Sequence, residues 1–564
     1  MWHSANELAP GTVIDTQVCI VGAGPAGLTL ARELAGARFK VLLVESGDFQ
    51  AHRRLKELNE GDTFGDGYPN PRWHRVRRVG GCANRWLVGI GGGKLGARFV
   101  PLDPSDFEKR EWIAHSGWPI GRAELDPYYQ RAQNHCGIGP YRYDLDAWTM
   151  PGATPIETDG LETSVFQFGP QQQWTGRHKA LFAETSNVEV LLNATVMEIE
   201  TDDGGGTVTG LKLVNDAGQP ILIRSDITAL AVGCVETTRL LLNSHAVHQA
   251  GLGNAHDVVG RYFMDHPQSY LNVFTPSDKH LFDSTGIYDI RPREGMAVMA
   301  KLAFKDQALR THRLPNSCHL LFPRRDHFLS EGFQAFFSLM LDLKHLAVPR
   351  GVARRVYTMA SGVKDLAPIA LWALQGKAHY PYLSNGGWAD LAAKSDLFSS
   401  FEIWSMVEQA PDPENRIRLG QRSDANGMPK VAIHWRFTDA DRDGVKRMRA
   451  QFKHEIETSG LGTVNWSPDL YTTPSSVHPI GGARMGTEPR TSVVGPDLRV
   501  HGLRNLFAAS SAVFPTSGYA NPTLTVVALA CRLADRIKDM LDQPIRIDKL
   551  EPLVAAAQTL SNIV

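Results

Sequence analysis

Val18-Cys19-Ile20-Val21-Gly22-Ala23-Gly24-Pro25-Ala26-Gly27 opens a pattern that continues through Leu28, Leu30, Ala31 and Leu34, then the apolar run Val41–Val44, and ends on Glu45. Strand, glycine turn, helix, strand and acid in that order predict a βαβ unit that binds a dinucleotide. Gly22 permits the tight turn, Gly24 lets a pyrophosphate approach the backbone, and Gly27 lets helix and strand pack closely. The helix N-terminus offers unpaired N–H groups and the positive end of its dipole to the phosphates. Glu45 stands 23 residues after Gly22, where a carboxylate accepts hydrogen bonds from the ribose hydroxyls.

Downstream, residues 77–96 are rich in glycine (Gly80, Gly81, Gly89, Gly91, Gly92, Gly93, Gly96) but also carry Trp86, Leu87, Val88 and Ile90. That mixture predicts a buried loop with close backbone approach, not a solvated linker. Ser116-Gly117-Trp118-Pro119 precedes a helix-forming segment over 122–136. Val188, Val190, Leu192, Val196 and Ile199 read as one strand, 208–214 as a second and 221–223 as a third, a three-strand meander. The apolar run 227–232 then reads as a return to the parallel sheet, followed by Gly233 and a helix through Leu240, Leu241 and Leu242.

Residues 271–465 lose the βαβ rhythm. Their first part reads as strands, and 335–395 has helical spacing at Leu341, Leu346, Val352, Val356, Leu371 and Leu374. Segments 416–419 and 430–435 read as strands around the turn Asp424-Ala425-Asn426-Gly427. The chain closes with a strand over 505–509 and a helix in which Asn521 is the expected N-cap and Pro522 the first helical residue. The expected class is α/β, α+β overall. A Rossmann-like dinucleotide domain with a β-meander takes 1–270 and 466–545. Between these halves a substrate domain built on a β-sheet with helices takes 271–465, and 546–564 is a C-terminal tail.

Composition narrows the function. In 564 residues, 43% hydrophobic and 21% charged describe a globular chain. Lys plus Arg is 59 and Asp plus Glu 60, a net charge of -1, so nucleic acid is not an expected partner. Arg72, Arg75, Arg77 and Arg78 make only a local basic patch. The six cysteines have no CxxC spacing, no signal peptide pattern opens the chain, and the longest apolar run, 366–374, is nine residues with Pro368 inside it. A cytoplasmic protein without a transmembrane segment is expected. No HExxH, GxSxG or GxxxxGK[ST] occurs. His312, His319 and His327 have spacings of seven and eight, which match no standard ligand pattern, so no metal site is expected.

Three blocks together resemble the glucose–methanol–choline (GMC) family of flavin oxidoreductases. They are the Gly22–Gly27 turn with Glu45; Arg77-Arg78-Val79-Gly80-Gly81; and His478-Pro479-Ile480-Gly481-Gly482-Ala483-Arg484-Met485-Gly486, coupled to Val513-Phe514-Pro515-Thr516-Ser517-Gly518 and Asn521-Pro522-Thr523-Leu524-Thr525. Weaker echoes are Gly260-Arg261-Tyr262-Phe263-Met264-Asp265-His266-Pro267 and Glu408-Gln409-Ala410-Pro411. The resemblance runs in order along nearly the whole chain and implies FAD, not a nicotinamide. It puts Val196 at the adenine, Gly80, Gly81 and Trp86 along the isoalloxazine, and Pro522 and Thr523 near the pyrimidine end. His478 matches the family's catalytic histidine and Asn521 its partner. Moving hydride from an alcohol carbon to flavin N5 calls for a base of pKa near 6 to 7 within reach of the hydroxyl.

Departures from the family pattern matter too. Arg85 takes the slot where several relatives carry the histidine that links FAD, so noncovalent FAD is expected, with a Cys82 thioether as the remaining covalent route. Ser510 replaces the usual Gly or Asp beside the phosphates. The pattern stands nearer the branch that oxidises sugars, glycosides and polyols. Electrons would pass to oxygen, a quinone or a redox partner protein. The alternatives are an FAD-containing lyase of the hydroxynitrile lyase type and oxidation of a non-sugar alcohol.

Overall fold

A computed structural model describes residues 1–85, 88–90, 93–148, 152–170, 173–293, 296–326, 330–344, 351–364, 366–367, 386–468 and 477–542. Trp86, Leu87, Gly91, Gly92, His327, Leu346, Leu371, Leu374 and the expected tail 546–564 lie outside the described residues.

Three sheets organise the chain. The first places Thr12–Val21 centrally, with Val41–Val44, Val188–Leu192 and Trp2–Ser4 in succession on one side, all parallel. Pro220–Leu230 lies on the other side, parallel to Thr12–Val21 from Ile221↔Thr12 to Leu230↔Val21. Val18, Cys19 and Ile20 are fully buried, as a strand covered on both faces requires.

Two expectations change here. The apolar series from Val188 to Ile199 is not one strand but two, Val188–Leu192 and Thr195–Thr201. Asn193 adopts φ 58°, a left-handed turn that a short amide side chain tolerates, and Ala194 N–H donates to the Glu45 carbonyl at 3.0 Å. Conversely, the third meander strand and the run after it are one strand. The first half of Pro220–Leu230 pairs antiparallel with Val208–Val214, and its last residues pair parallel with Leu506–Ala508. One strand thus carries the meander and the Rossmann-like sheet together.

The second sheet is antiparallel, in the order Gly462–Asn465, Gln268–Pro276, Ser400–Val407, Ser317–Arg324, Met296–Phe304, Leu161–Pro170, Gly93–Phe99, Val88–Ile90. It crosses the expected boundary at 270. Every residue of Met296–Phe304 is buried, so the strand needs a neighbour on each edge, and Leu161–Pro170 supplies the second. In the other direction, Arg416–Ser423 and Pro429–Trp435, joined by the expected turn at Gly427 (φ 85°), leave the second domain. They form a third sheet with Gly61–Gly65, and Arg239 of the helix Gly233–Asn243 donates to the carbonyls of Met428 and Pro429 and to the Asp424 carboxylate.

The helix Arg122–Cys136 has the expected limits and stops at Gly137 in a left-handed conformation. Helices Glu331–Lys344 and Val352–Ser361 fall where the spacing was helical. Among the described residues no helix is long and apolar enough to cross a membrane.

Candidate active site

One cavity of about 660 Å³ runs from the glycine turn to the histidine segment, between the first sheet and the second. Its glycine end can be read position by position from what a Cβ would meet. At Gly22, φ +101°, it would lie 2.8 Å from Val232 and 2.9 Å from the Ala231 carbonyl oxygen. At Gly27 it would fall 1.8 Å from the Gly22 carbonyl oxygen. At Gly24 the nearest atom would be 4.0 Å away, because that face opens into the cavity. The protein therefore needs Gly22 and Gly27 for its own packing but keeps Gly24 bare for something else. The helix Pro25–Glu33 starts beside it with no side-chain cap, so its first N–H groups are available to a phosphate.

Glu45 ends the strand Val41–Val44 with 6% of its surface exposed, on the cavity wall. Its Oε2 accepts from Ala23 N–H at 2.8 Å and its Oε1 from Gly47 N–H at 3.0 Å. Burial pushes this carboxyl above its ordinary range, opposed by those two N–H groups and by Arg77. Each oxygen keeps a lone pair for a ribose hydroxyl. Gly80 N–H donates to the Ala23 carbonyl at 2.8 Å, and a Cβ on Gly81 would sit 3.2 Å from Gly24 Cα, so the second glycine loop closes over the first. Gly81, Cys82, Arg85, Val196, Ser510, Pro522 and Thr523 line the cavity; Gly27 and Gly80 stand behind the wall. Arg85 is turned away to the Trp73 carbonyl, and Ser510 Oγ accepts from Ala512 N–H at 3.2 Å. Bare Gly24, the uncapped helix start and the buried carboxylate fit the pyrophosphate and ribose of FAD.

At the opposite end His478 and Asn521 meet: His478 Nε2 lies 3.1 Å from Asn521 Nδ2. Asn521 does not cap its helix as expected. The helix is Thr523–Asp542, its first bond runs from Val526 N–H to the Pro522 carbonyl, and Asn521 stands one residue earlier. Its side chain is spent on the site: Arg98 Nε donates to Asn521 Oδ1 at 3.1 Å.

Sequence reasoning missed Arg98, Asp265 and His266. Arg98 lies on Gly93–Phe99, 8% exposed, its guanidinium 4.8 Å over the Phe166 ring. His266 Nδ1 is 3.0 Å from His478 Nδ1. Asp265 Oδ1 accepts from the backbone N–H of both His266 (2.7 Å) and His478 (2.8 Å), while its Oδ2 accepts from Tyr68 Oη–H at 2.9 Å. One carboxylate therefore sets the spacing of the two histidines. The segment 260–267 held the signal for Asp265 and His266; Arg98 stands in a strand that also carries Lys94 and has no motif around it.

The expected base pKa near 6 to 7 does not survive the geometry. Desolvation, His266 and Arg98 hold His478 well below its ordinary value, and burial pushes His266 down to about 4. Both rings are neutral at pH 7. His319 is buried, with its Nδ1 2.8 Å from Ser405 Oγ. The one close group of His, Cys and acid side chains among the described residues is Glu33, His135 and Cys531, where Arg131 already pairs with Glu33.

Comparison with known proteins places this geometry. Residues 411–530 match the GMC oxidoreductase family and residues 20–50 the NAD(P)-binding Rossmann-like domain. The fructose dehydrogenase large subunit of Gluconobacter japonicus is 24% identical over 94% of this chain and 99% of its own. The 6'''-hydroxyparomomycin C oxidase of Streptomyces lividus is 22% identical over 95% and 94%. A formate oxidase of Aspergillus oryzae, studied for modification of its FAD, shares the fold at a TM-score of 0.51 and 17% identity, covering 95% of this chain and 100% of that one. The chain thus carries a GMC oxidoreductase domain over residues 411–530 and is similar along nearly its whole length to an oxidase and a dehydrogenase of hydroxyl-bearing compounds.

Proposed function

We propose that the protein oxidises a hydroxyl group of a sugar, glycoside or polyol, with His478 as the base. The observation that carries this reading is the pairing of His478 Nε2 and Asn521 Nδ2 on the wall of a cavity whose far end is shaped for a dinucleotide. Gly22, Gly24, Gly27, Glu45, Val196 and Ser510 would hold the adenosine and pyrophosphate, and Gly80, Gly81, Pro522 and Thr523 the flavin end. When bound, FAD supplies the two-electron acceptor for the carbinol hydride at its N5. His478 Nε2 takes the hydroxyl proton, and Asn521, with a second N–H to give, orients the alcohol oxygen. A neutral histidine is the competent form, and burial keeps it so.

The domain reading becomes two halves, 1–270 and 466–545, around a substrate domain of 271–465 that recruits Val88–Ile90, Gly93–Phe99 and Leu161–Pro170 and gives up Arg416–Ser423 and Pro429–Trp435 to a sheet with Gly61–Gly65. We read the FAD as noncovalent, because Arg85 stands in the linkage slot and cannot form the bond; Cys82, in the same loop, also lines the cavity. A cytoplasmic location is our reading from six free cysteines, five of them buried.

The test is an anaerobic screen of sugars, glycosides, polyols and simple alcohols against the flavin band, followed by reoxidation with air, a quinone or an artificial acceptor. Bleaching by a sugar or polyol supports the reading. Bleaching only by a simple alcohol removes the substrate class, and turnover of a cyanohydrin without bleaching would make the protein a lyase.

A further inference from the structure

The contacts around His478 form a chain with a direction. Arg98 can only donate, so the Asn521 oxygen must face it and the Asn521 amino group must face His478. His478 Nε2 is then an acceptor and carries no proton. A neutral imidazole keeps one N–H, so His478 Nδ1 carries it and donates to His266 Nδ1. His266 in turn holds its proton on Nε2, which faces the carbonyl oxygen of Ser517 at 3.4 Å, a group that can only accept. The two ends of the chain, one obligate donor and one obligate acceptor, independently demand the same assignment.

We propose that Arg98, through Asn521, and His266, directly at Nδ1, are positioning residues that hold His478 in the tautomer whose Nε2 is unprotonated on the cavity wall, where a substrate hydroxyl would displace the Asn521 N–H from its lone pair. The inference rests on the reading of His478 as base. The other tautomer would present an N–H to the alcohol and could not take its proton. After transfer the hydroxyl proton sits on His478 Nε2, the carbinol hydride would have gone to FAD so that the C–O bond becomes a carbonyl, and His478 Nδ1–H still donates to His266. Arg98 is held by Phe166 and by Met406 Sδ at 3.6 Å from its Nη2, while its Nη1 has no hydrogen-bond partner among the described residues. Its charge thus polarises the Asn521 amide instead of being absorbed by an ion pair.

The experiment combines ¹⁵N NMR of histidine-labelled holoenzyme with anaerobic stopped-flow reduction. In the wild type, His478 should show a protonated Nδ1 and a bare Nε2; the reverse pattern overturns the proposal without any variant. His266→Phe removes the acceptor and should bind FAD normally but slow flavin reduction by roughly ten- to a hundredfold with little change in KM, because the tautomer is no longer held. His266→Asn, whose Oδ1 can replace Nδ1 as acceptor, should recover most of the rate. Arg98→Met should slow reduction and mix the tautomers, and Arg98→Lys should restore both in part. Wild-type rates in His266→Phe would overturn the proposal. If His478→Ala is slow while His266→Phe is not, only the chain fails; if both reduce like wild type, the base itself is misassigned.

Discussion

The two ends of the cavity are built in opposite ways. At the glycine end, six consecutive residues, 22–27, and one carboxylate make a surface almost wholly from backbone. At the histidine end, Arg98, His266, His478 and Asn521 come from segments up to 423 residues apart, and their contacts with one another run from side chain to side chain. The first end has no room for an added atom at Gly22 or Gly27 but needs no particular side chain except Glu45. The second is defined by proton positions, which change with a single donor or acceptor. Binding is therefore concentrated where geometry is local, and chemistry where it is long-range.

The largest effect expected from breaking this contrast is at His478. His478→Ala should keep FAD but slow its anaerobic reduction by about 10²–10⁴-fold, measured by stopped flow. Because the folded protein holds His478 well below its ordinary pKa, the wild-type reduction rate should be flat above about pH 6.5 and fall only in more acidic solution. A rate that rises through pH 6 to 7 would show that the bound state restores an ordinary histidine.

Acid stability comes next. His74 and His319 are pushed to about 3 and His266 to about 4 by burial. The unfolded chain binds these protons near pH 6.5 and the folded one does not, so stability is fully present above that pH. It is lost as pH falls toward 4, at up to about 1.4 kcal/mol per group per unit. Urea unfolding between pH 7 and 5 should show this decline; His266→Asn should make the slope shallower.

The glycine end gives a smaller but sharper pair. Gly27→Ala puts a methyl on the Gly22 carbonyl and should cost about 1–3 kcal/mol of stability in urea unfolding. Gly24→Ala meets no protein atom closer than 4.0 Å, so it should fold as well as wild type yet bind FAD more weakly in a dissociation assay. Equal FAD affinity would mean that the bare face of Gly24 is not where the phosphates approach.

The smallest effect should be the stability change in Asn521→Ala, about 1 kcal/mol, because its amide does not cap the helix and only its bonds to Arg98 and His478 are lost. Flavin reduction should nonetheless slow, since the bond to His478 Nε2 is lost.

Much of the fold was legible because it rests on local pattern. The glycine spacing, the helix Arg122–Cys136 and the Asp424–Gly427 turn each encode their geometry in a few adjacent residues. What escaped were joins. A bend at Asn193 split a uniform apolar series, and a continuous strand, Pro220–Leu230, hid behind the polar Arg224, Ser225 and Asp226 at its centre. The second sheet took strands from before residue 170 because an interior strand must be paired on both edges, a demand that no local window expresses.

For the site the division follows the same physics. Sequence alone singled out the glycine turn, Glu45, His478 and Asn521, because those signals are short motifs, and the fold brings Gly22, Gly24, Glu45, His478 and Asn521 onto the wall of one cavity. Only the tertiary structure decided the protonation of that histidine. Its pKa depends on how much solvent the surrounding sheets exclude, and its tautomer on the direction of a hydrogen-bond chain that begins at Arg98 and ends at Ser517, whose members come together only when both large sheets are folded.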